Sequence, residues 1–134
     1  MDGFLTSQVN CKVLDHLFGG ARSEPVPELF VGLSLVDANK EGVVVEPAGD
    51  YRRAGVLNDS SHFPAASRGE KCNGRAITFA EPTHDWGRIR SVFVADAPRD
   101  GNVIAAANLA TAKWIFAGSP APTIQPGALF FTHS

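Results

Sequence analysis

Hydrophobic positions near the start of the chain recur with the period of a helix. The stripe consists of Leu5, Val9, Val13, Leu14, Leu17 and Phe18. This spacing predicts an amphipathic helix over residues 4–20, and Gly19 and Gly20 supply the left-handed residues that end it. Because the polar face lacks the Lys and Arg content of a membrane-surface helix, we expect the stripe to pack against its own domain. Docking on a partner is the alternative.

After two prolines at 25 and 27, apolar side chains fall at every second position, which is the period of a β-strand. The pattern predicts strands at 29–35, 51–57, 75–80, 88–96, 103–109, 113–116 and 127–132. The continuous apolar run 92–95 predicts a strand covered on both faces, and Asp100 with Gly101 predicts a hairpin turn. Residues 58–74 are polar and irregular, so no element is assigned to them.

These elements fit a single domain of residues 1–134. A chain of 134 residues can bury a core without disulfides or metals, and its 13 glycines and 9 prolines favour turns and strands over long helices. Several short strands after one helix predict a mainly β fold. We expect an antiparallel, jelly-roll-like β-sandwich over residues 28–134, preceded by the amphipathic helix at 4–20.

Charge and cysteine content narrow the classes of protein. The net charge is −2 and the arginines are scattered, so we expect no nucleic-acid partner. Cys11 and Cys72 lie far apart and match no metal-ligand spacing, which indicates neither zinc nor a disulfide and fits folding in a reducing compartment. No stretch approaches the roughly 18 apolar residues that span a bilayer. No basic leader precedes an apolar run, so we expect a soluble protein without membrane insertion or a cleaved signal.

The turn at residues 82–87 holds the one pair of residues that suggests acid–base chemistry. His84 beside Asp85 has the composition of a base with its orienting carboxylate, but adjacent residues in a strand or tight turn point apart. We therefore expect a structural turn in which Asp85 accepts backbone N–H groups within the turn, Trp86 caps the core and Gly87 permits the tight geometry.

No other pattern predicts catalysis, a metal or a cofactor. The four histidines, at 16, 62, 84 and 133, share no ligand spacing, and no serine lies in a Gly-x-Ser-x-Gly elbow. Asp96, Asp100 and Asn102 surround the hairpin and are candidates for calcium, but they match no calcium-binding loop and acidic residues are common in turns. Three aromatic residues would form a sugar-binding platform if exposed, although the core needs most aromatic side chains. They are Tyr51, Trp86 and Trp114.

Several short motifs, taken in order, resemble a family of small virion proteins of tailed bacteriophages, described as tail-fibre or fibre-like proteins. The motifs are LDHLFGG at 14–20, LFVGLS at 29–34, EPAGDYRR at 46–53, ITF at 77–79, THDWG at 83–87, AD at 95–96, GNVI at 101–104, Gly118 and PGAL at 126–129. Their order and spacing cover nearly the whole chain. The sequence departs from the family pattern at 58–74, which is longer and more charged than the Gly/Ser-rich segment expected there.

The resemblance implies a β-sandwich without enzymatic activity, cofactors or catalytic residues, assembled in the host cytoplasm and built into the virion as repeated copies. It favours a homo-oligomer, by analogy a trimer, in contact with other virion proteins. Phe30, Trp114, Phe130 and the apolar helix face are the candidate contacts. We predict a structural protein of a tail-fibre-like appendage. A capsid decoration (cement) protein and a fibre module that binds a host surface glycan are the alternatives.

Overall fold

The computed structural model describes residues 1–132, and the fold is mainly β with one helix near the N-terminus, as predicted. His133, one of the histidines considered above, lies outside the described residues. The elements in chain order are β1 (Asp2–Leu5), α1 (Ser7–Leu17), β2 (Glu28–Ser34), β3 (Ala54–Leu57), β4 (Glu70–Cys72), β5 (Ile77–Thr78), β6 (Gly87–Ala95), β7 (Val103–Ile115), β8 (Thr123–Ile124) and β9 (Phe130–Thr132).

Most strands belong to one curled, seven-stranded sheet in the order β3-β2-β6-β7-β1-β9-β4, while β5 and β8 form a separate two-stranded ribbon. At the centre of the sheet, Val94 of β6 lies opposite Val31 of β2 and Ala105 of β7. Within residues 1–132, β1 and β9 are the one parallel pair, and the other paired strands are antiparallel. The first strand of the chain, β1, therefore lies in the sheet between two strands from the last third of the sequence, β7 and β9.

The centre of the sheet is buried on both faces. Val92 and Val94 belong to the main core, to which Ile77 and Ile124 of the β5–β8 ribbon also belong. Phe93, which alternates with these valines, faces the opposite side and forms a smaller core with Ala95 and Ala106. Every residue from 92 to 95 is buried, as the continuous apolar run predicts.

β7 joins two strands that the sequence pattern separates. It runs for 13 residues, and its pairing with β6 jumps from Lys113 opposite Ile89 to Asn108 opposite Ser91. Residues 109–112 therefore oppose Arg90 alone and form a four-residue bulge. The period-two pattern is interrupted at this bulge, which explains why the sequence predicts two strands.

The N-terminal segment differs from the prediction of one helix over 4–20. Residues 2–5 form β1, because their backbone groups pair with β7 and β9, and α1 begins only at Ser7. The helix ends at Leu17, before Gly19 and Gly20, whose φ angles of 122° and 70° are positive. Two further strands, β4 and β8, lie where the apolar pattern predicts none, since strands of two or three residues contain too few side chains to show a period.

Candidate functional site

The turn at residues 82–87 is fixed by a carboxylate from a distant part of the chain. Asp50 Oδ1 accepts a hydrogen bond of 2.9 Å from Trp86 Nε1, and Asp50 Oδ2 accepts bonds of 2.7 Å from both the backbone N–H and the hydroxyl of Thr83. The Trp86 indole, followed by the two Thr83 donors, holds the pKa of Asp50 well below its usual range. Asp50 therefore remains a charged acceptor that ties the turn to the preceding loop.

His84 and Asp85 do not form a base and carboxylate pair. Asp85 Oδ1 accepts a bond of 2.8 Å from the backbone N–H of Ala117, rather than from a group in its own turn. The carboxylate nearest to His84 is that of Asp50, with 3.5 Å between His84 Nδ1 and Asp50 Oδ1, and the Thr83 hydroxyl donates directly to Asp50. The Thr83 hydroxyl also lies 3.1 Å from His84 Nδ1, so the hydroxyl and the carboxylate approach the same ring nitrogen. The imidazole therefore does not bridge them through its two nitrogens, and the arrangement is not that of an activated nucleophile.

The aromatic residues considered for sugar binding lie in two different environments. Trp86 is 3% exposed and contacts Tyr51 edge to face, with 5.4 Å between ring centroids. The Tyr51 hydroxyl accepts a bond from Leu33 N and donates to Glu46 Oε1, and burial, the largest cause, raises the pKa of Tyr51 above its usual value. Trp114 is 57% exposed. Of the three, Trp86 is buried, Tyr51 is partly buried and Trp114 is exposed, so they do not form one exposed platform.

The hairpin between β6 and β7 uses its acidic residues to shape the turn. Asp100 and Gly101, in the connection 96–102 between the two strands, both have positive φ, 51° and 68°. The Asp96 carboxylate accepts bonds from the backbone N–H and the side-chain amide of Asn102, and the backbone bond is the main reason that the pKa of Asp96 is lowered. Within residues 1–132, no group of three or more His, Cys, Asp or Glu side chains is placed to hold a metal ion.

A buried ion pair connects this hairpin to the loop before β3. The Arg53 side chain is 4% exposed and forms a two-pronged pair with Glu46, at 2.9 Å and 3.1 Å. Its third nitrogen donates to the carbonyl oxygens of Ala97 and Asp100, at 2.7 Å and 3.0 Å. The guanidinium carbon also lies 5.1 Å from the centre of the Phe93 ring. Arg53 therefore fixes the hairpin, the loop and one face of the sheet together.

Polar side chains order the irregular segment 58–74, and two of them, Asp59 and Asn73, make several hydrogen bonds each. The first is Asp59. Its Oδ1 accepts a bond of 2.7 Å from His62 Nδ1 and one of 2.9 Å from the His62 backbone N–H. These bonds, the side-chain bond first, hold the pKa of Asp59 below its usual range. The carboxylate organises a local turn of the kind that Asp forms at loop starts.

The second polar side chain is Asn73, which is 1% exposed. Its amide donates to the carbonyl oxygens of Arg75 and Gln125, at 2.9 Å and 3.0 Å, and its oxygen accepts a bond of 3.0 Å from Leu129 N. The side-chain nitrogen and oxygen of Asn73 are therefore both hydrogen-bonded. Their bonds join the end of segment 58–74 to the chain before β9.

The apolar stripe of α1 is largely exposed, so the expectation that it packs against its own domain is wrong for the second half of the helix. No residue of α1 is buried. Val9 and Val13 are partly covered, but Leu14, Leu17 and Phe18 are 52%, 65% and 76% exposed. Large apolar side chains that are neighbours on a helix and face water usually mark a contact with another molecule.

An apolar groove of about 430 Å³ adjoins the start of this helix. It lies on the main-core face of the sheet, between β1 and α1 on one side and segment 58–74 on the other. Its lining residues are Leu5, Val9, Leu29, Asn58, Phe63, Ala66, Gly69, Glu70, Lys71, Val94, Ile104, Ala105, Phe131 and Thr132. Because Val9 belongs to both, the groove and the stripe of α1 form one continuous apolar surface.

The three predicted contact residues are exposed to different degrees. Phe30 of β2 and Phe130 of β9 are half-buried, whereas Trp114 near the end of β7 is exposed. Trp114 stacks on Phe116, which the sequence interpretation did not single out, with parallel rings and 5.9 Å between the centroids. Cys11 is exposed and Cys72 is half-buried, and both are free thiols.

Sequence reasoning did not identify Asp50, Arg53 or Asn73 as structurally important. Asp50 and Arg53 lie in the EPAGDYRR motif at 46–53. This motif supports the family resemblance but predicts no role for either side chain. Apart from Glu46, which lies seven positions before Arg53, their partners are 33 to 47 positions away in the chain, so no local spacing reveals them. For Asp50 and Arg53, the one signal in the sequence is a charged residue in an otherwise Gly- and Pro-rich turn.

Comparison with known proteins identifies one family. The family model described as "Podophage GP4 fiber I protein gp80" matches residues 5–132. No curated protein matches the sequence. In the described part of the chain, no helix has the length and apolar character needed to cross a membrane.

Proposed function

Because the chain belongs to the podophage GP4 fiber I protein gp80 family, a family of structural phage fibre proteins, we propose that it forms a tail-fibre-like appendage as repeated copies. The proposed role is mechanical and non-enzymatic: the subunit builds part of the virion and contacts other virion proteins. A match over residues 5–132, nearly the whole chain, supports the fibre role. The exposed apolar surface of α1 and the groove is the observation that supports assembly from identical subunits.

A second copy of the chain is the occupant that this surface fits best. Full burial of a Leu or Phe side chain contributes about 1.5–3 kcal/mol. Leu14, Leu17 and Phe18 are 52%, 65% and 76% exposed, so covering the exposed parts supplies roughly 3–6 kcal/mol per copy. The exposed half of α1 extends away from a groove that is itself almost entirely apolar, so the helix end of one copy can cover the groove of the next. Head-to-tail contacts form a ring when the rotation between copies closes and an open filament when it does not. The family resemblance favours a closed ring of three subunits.

Sedimentation of the purified protein tests the assembly. We expect an oligomer, by proposal a trimer, at micromolar concentration, and we expect Leu17→Lys to shift it toward monomer, since a charge on the stripe cannot be buried without a partner. Val43→Lys is the matched control, because Val43 is also 56% exposed but lies outside α1 and the groove. A wild-type protein that sediments as a monomer, or an equal effect of the two substitutions, would contradict the proposed interface.

Electron microscopy of particles labelled with an antibody against the chain tests the place in the virion separately. Label on the tail appendages is the expected result. Label spread over the capsid lattice would support the alternative of a decoration protein and would contradict the fibre role, and particles without label would contradict both.

A further inference from the structure

We propose that the outer face of the β6–β7 hairpin is a binding site for an acidic saccharide, formed by Trp114, Phe116, Arg88 and Arg90. The site is built by one chain and lies outside α1 and the apolar groove, so it does not depend on the assembly proposed above. Its two parts are a pair of exposed aromatic rings and a pocket with two guanidinium groups.

The aromatic pair is exposed and held in place. Trp114 and Phe116 are 57% and 51% exposed, and Ile115 between them is 4% exposed, so the alternation of β7 directs both rings to solvent. The rings are parallel to within 1°. The backbone beneath them is fixed, since the Ile115 carbonyl accepts a bond of 2.9 Å from Trp86 N and Ala117 N donates to Asp85. These bonds tie the backbone of the aromatic pair to the turn at 82–87, so less conformational entropy is lost when a ligand binds.

The arginines lie on the same face as the rings. Arg88 is directly opposite Trp114 in the pairing of β6 with β7, and Arg88 and Arg90 flank Ile89, which is 1% exposed and points to the core. Directly opposite side chains are close neighbours on one face of a sheet. Arg88 has no hydrogen bond or ion pair within residues 1–132. Arg90 contacts Asp37 at 3.4 Å, with both side chains substantially exposed.

The four-residue bulge of β7 forms one wall of a pocket on this face. Arg88, Arg90 and Asp37 line it together with the bulge residues 109–112, and its volume is about 310 Å³. This volume lies at the lower end of the roughly 300–1,000 Å³ found for small-molecule sites. A bulge leaves backbone groups outside the sheet ladder, so the pocket wall also offers groups that can bond to hydroxyls.

These features match the chemistry of a sugar that carries a carboxylate or a phosphate. The C–H face of a pyranose ring stacks on an aromatic ring, while a guanidinium binds carboxylate or phosphate through two parallel hydrogen bonds. A neutral saccharide would leave the Arg88 guanidinium without a charged partner, whereas Arg90 already contacts Asp37.

Calorimetric titration of the full chain tests the site with three probes: a galacturonic acid oligomer, a mannose phosphate and a neutral maltose oligomer. We expect the carboxylated or the phosphorylated sugar to bind at least about tenfold more tightly than the neutral one, and added salt to weaken the binding. Which of the two anionic probes binds more tightly identifies the anionic group. Equal binding of the charged and neutral sugars, or no binding by either anionic probe at millimolar concentration, would overturn the proposal.

Substitutions locate the binding on this face. Arg88→Gln should weaken binding of the anionic sugar about tenfold, since it removes one two-pronged contact. Trp114→Ala should weaken it by a similar factor. Arg99→Gln is the matched control, because Arg99 is an exposed arginine of the 97–102 hairpin turn and the net charge changes equally. Equal effects of Arg88→Gln and Arg99→Gln would overturn the proposal. A loss of oligomer on Trp114→Ala would also overturn it and would assign the face to a protein contact.

Discussion

Replacement of Arg53 by Ala should destabilise the protein more than any other single change of charge described above. The side chain is 4% exposed and donates four hydrogen bonds, two to Glu46 and one each to the carbonyl oxygens of Ala97 and Asp100. Loss of one partner of a buried ion pair costs about 3–5 kcal/mol, because the other charge remains uncompensated. The Glu46 side chain is 28% exposed, so water solvates part of its charge and the lower end applies. We expect a loss of about 3 kcal/mol in the free energy of unfolding.

Urea denaturation followed by tryptophan fluorescence measures this loss, since Trp86 is buried in the folded chain. For a chain of 134 residues, about 3 kcal/mol corresponds to a decrease of roughly 10 °C in the melting temperature. Arg22→Ala is the matched control. Arg22 also pairs with a glutamate, Glu24, at 2.9 Å, but the two side chains are 87% and 71% exposed, so its loss should cost less than about 0.5 kcal/mol.

A second substitution distinguishes an unpaired charge from simple loss of packing. In the Arg53→Ala background, Glu46→Gln should restore about 1 kcal/mol, because it removes the charge that Arg53 no longer compensates. Two results would refute the reasoning: a cost of Arg53→Ala within about 1 kcal/mol of the Arg22→Ala cost, or a further loss of stability when Glu46→Gln is added.

Two further predictions concern the other polar side chains. Asn73→Ala should cost about 1–3 kcal/mol in urea denaturation, because it leaves the Leu129 N–H buried without an acceptor. Asn39→Ala at an exposed loop should cost less than about 1 kcal/mol, and similar costs would contradict the role of Asn73. The pKa of Asp50 is lower in the folded chain than in the unfolded chain, so the unfolded chain binds a proton at this carboxylate more readily. The contribution of Asp50 to stability is therefore fully present above about pH 4 to 5 and is lost as the pH falls. Urea midpoints measured between pH 6 and pH 2 should therefore fall less steeply for Asp50→Asn than for the wild type, and equal slopes would contradict this.

The parts of the fold that the sequence predicts are those with a strong periodic pattern. β2 and β6 lie where alternation and the continuous run 92–95 place them, since a strand of seven or nine residues shows its period clearly. β1, β4 and β8 are two to four residues long, and their conformation depends on partners far away in the chain. Local propensity cannot reveal such strands.

The candidate sites divide in the same way. The stripe of α1 is evident in the sequence, but an amphipathic pattern reports only that one face avoids water and not which molecule covers it. The pairing of Arg88 with Trp114 depends on the register after the bulge at 109–112, which no spacing in the sequence specifies. The hairpin turn at Asp100 and Gly101 is local, and its residue types predict it directly.

The position of β1 between β7 and β9 has a consequence for the order of events during synthesis. Residues 2–4 pair with residues 130–132, so the sheet cannot be completed until almost the whole chain has left the ribosome. Pairing across so large a separation also slows folding, because the chain must close a long loop before the contact forms. Leu5 and Phe131 both line the apolar groove, and they meet only through this last pairing. A nascent or truncated chain therefore lacks the groove, and in the proposed assembly only finished subunits would take part.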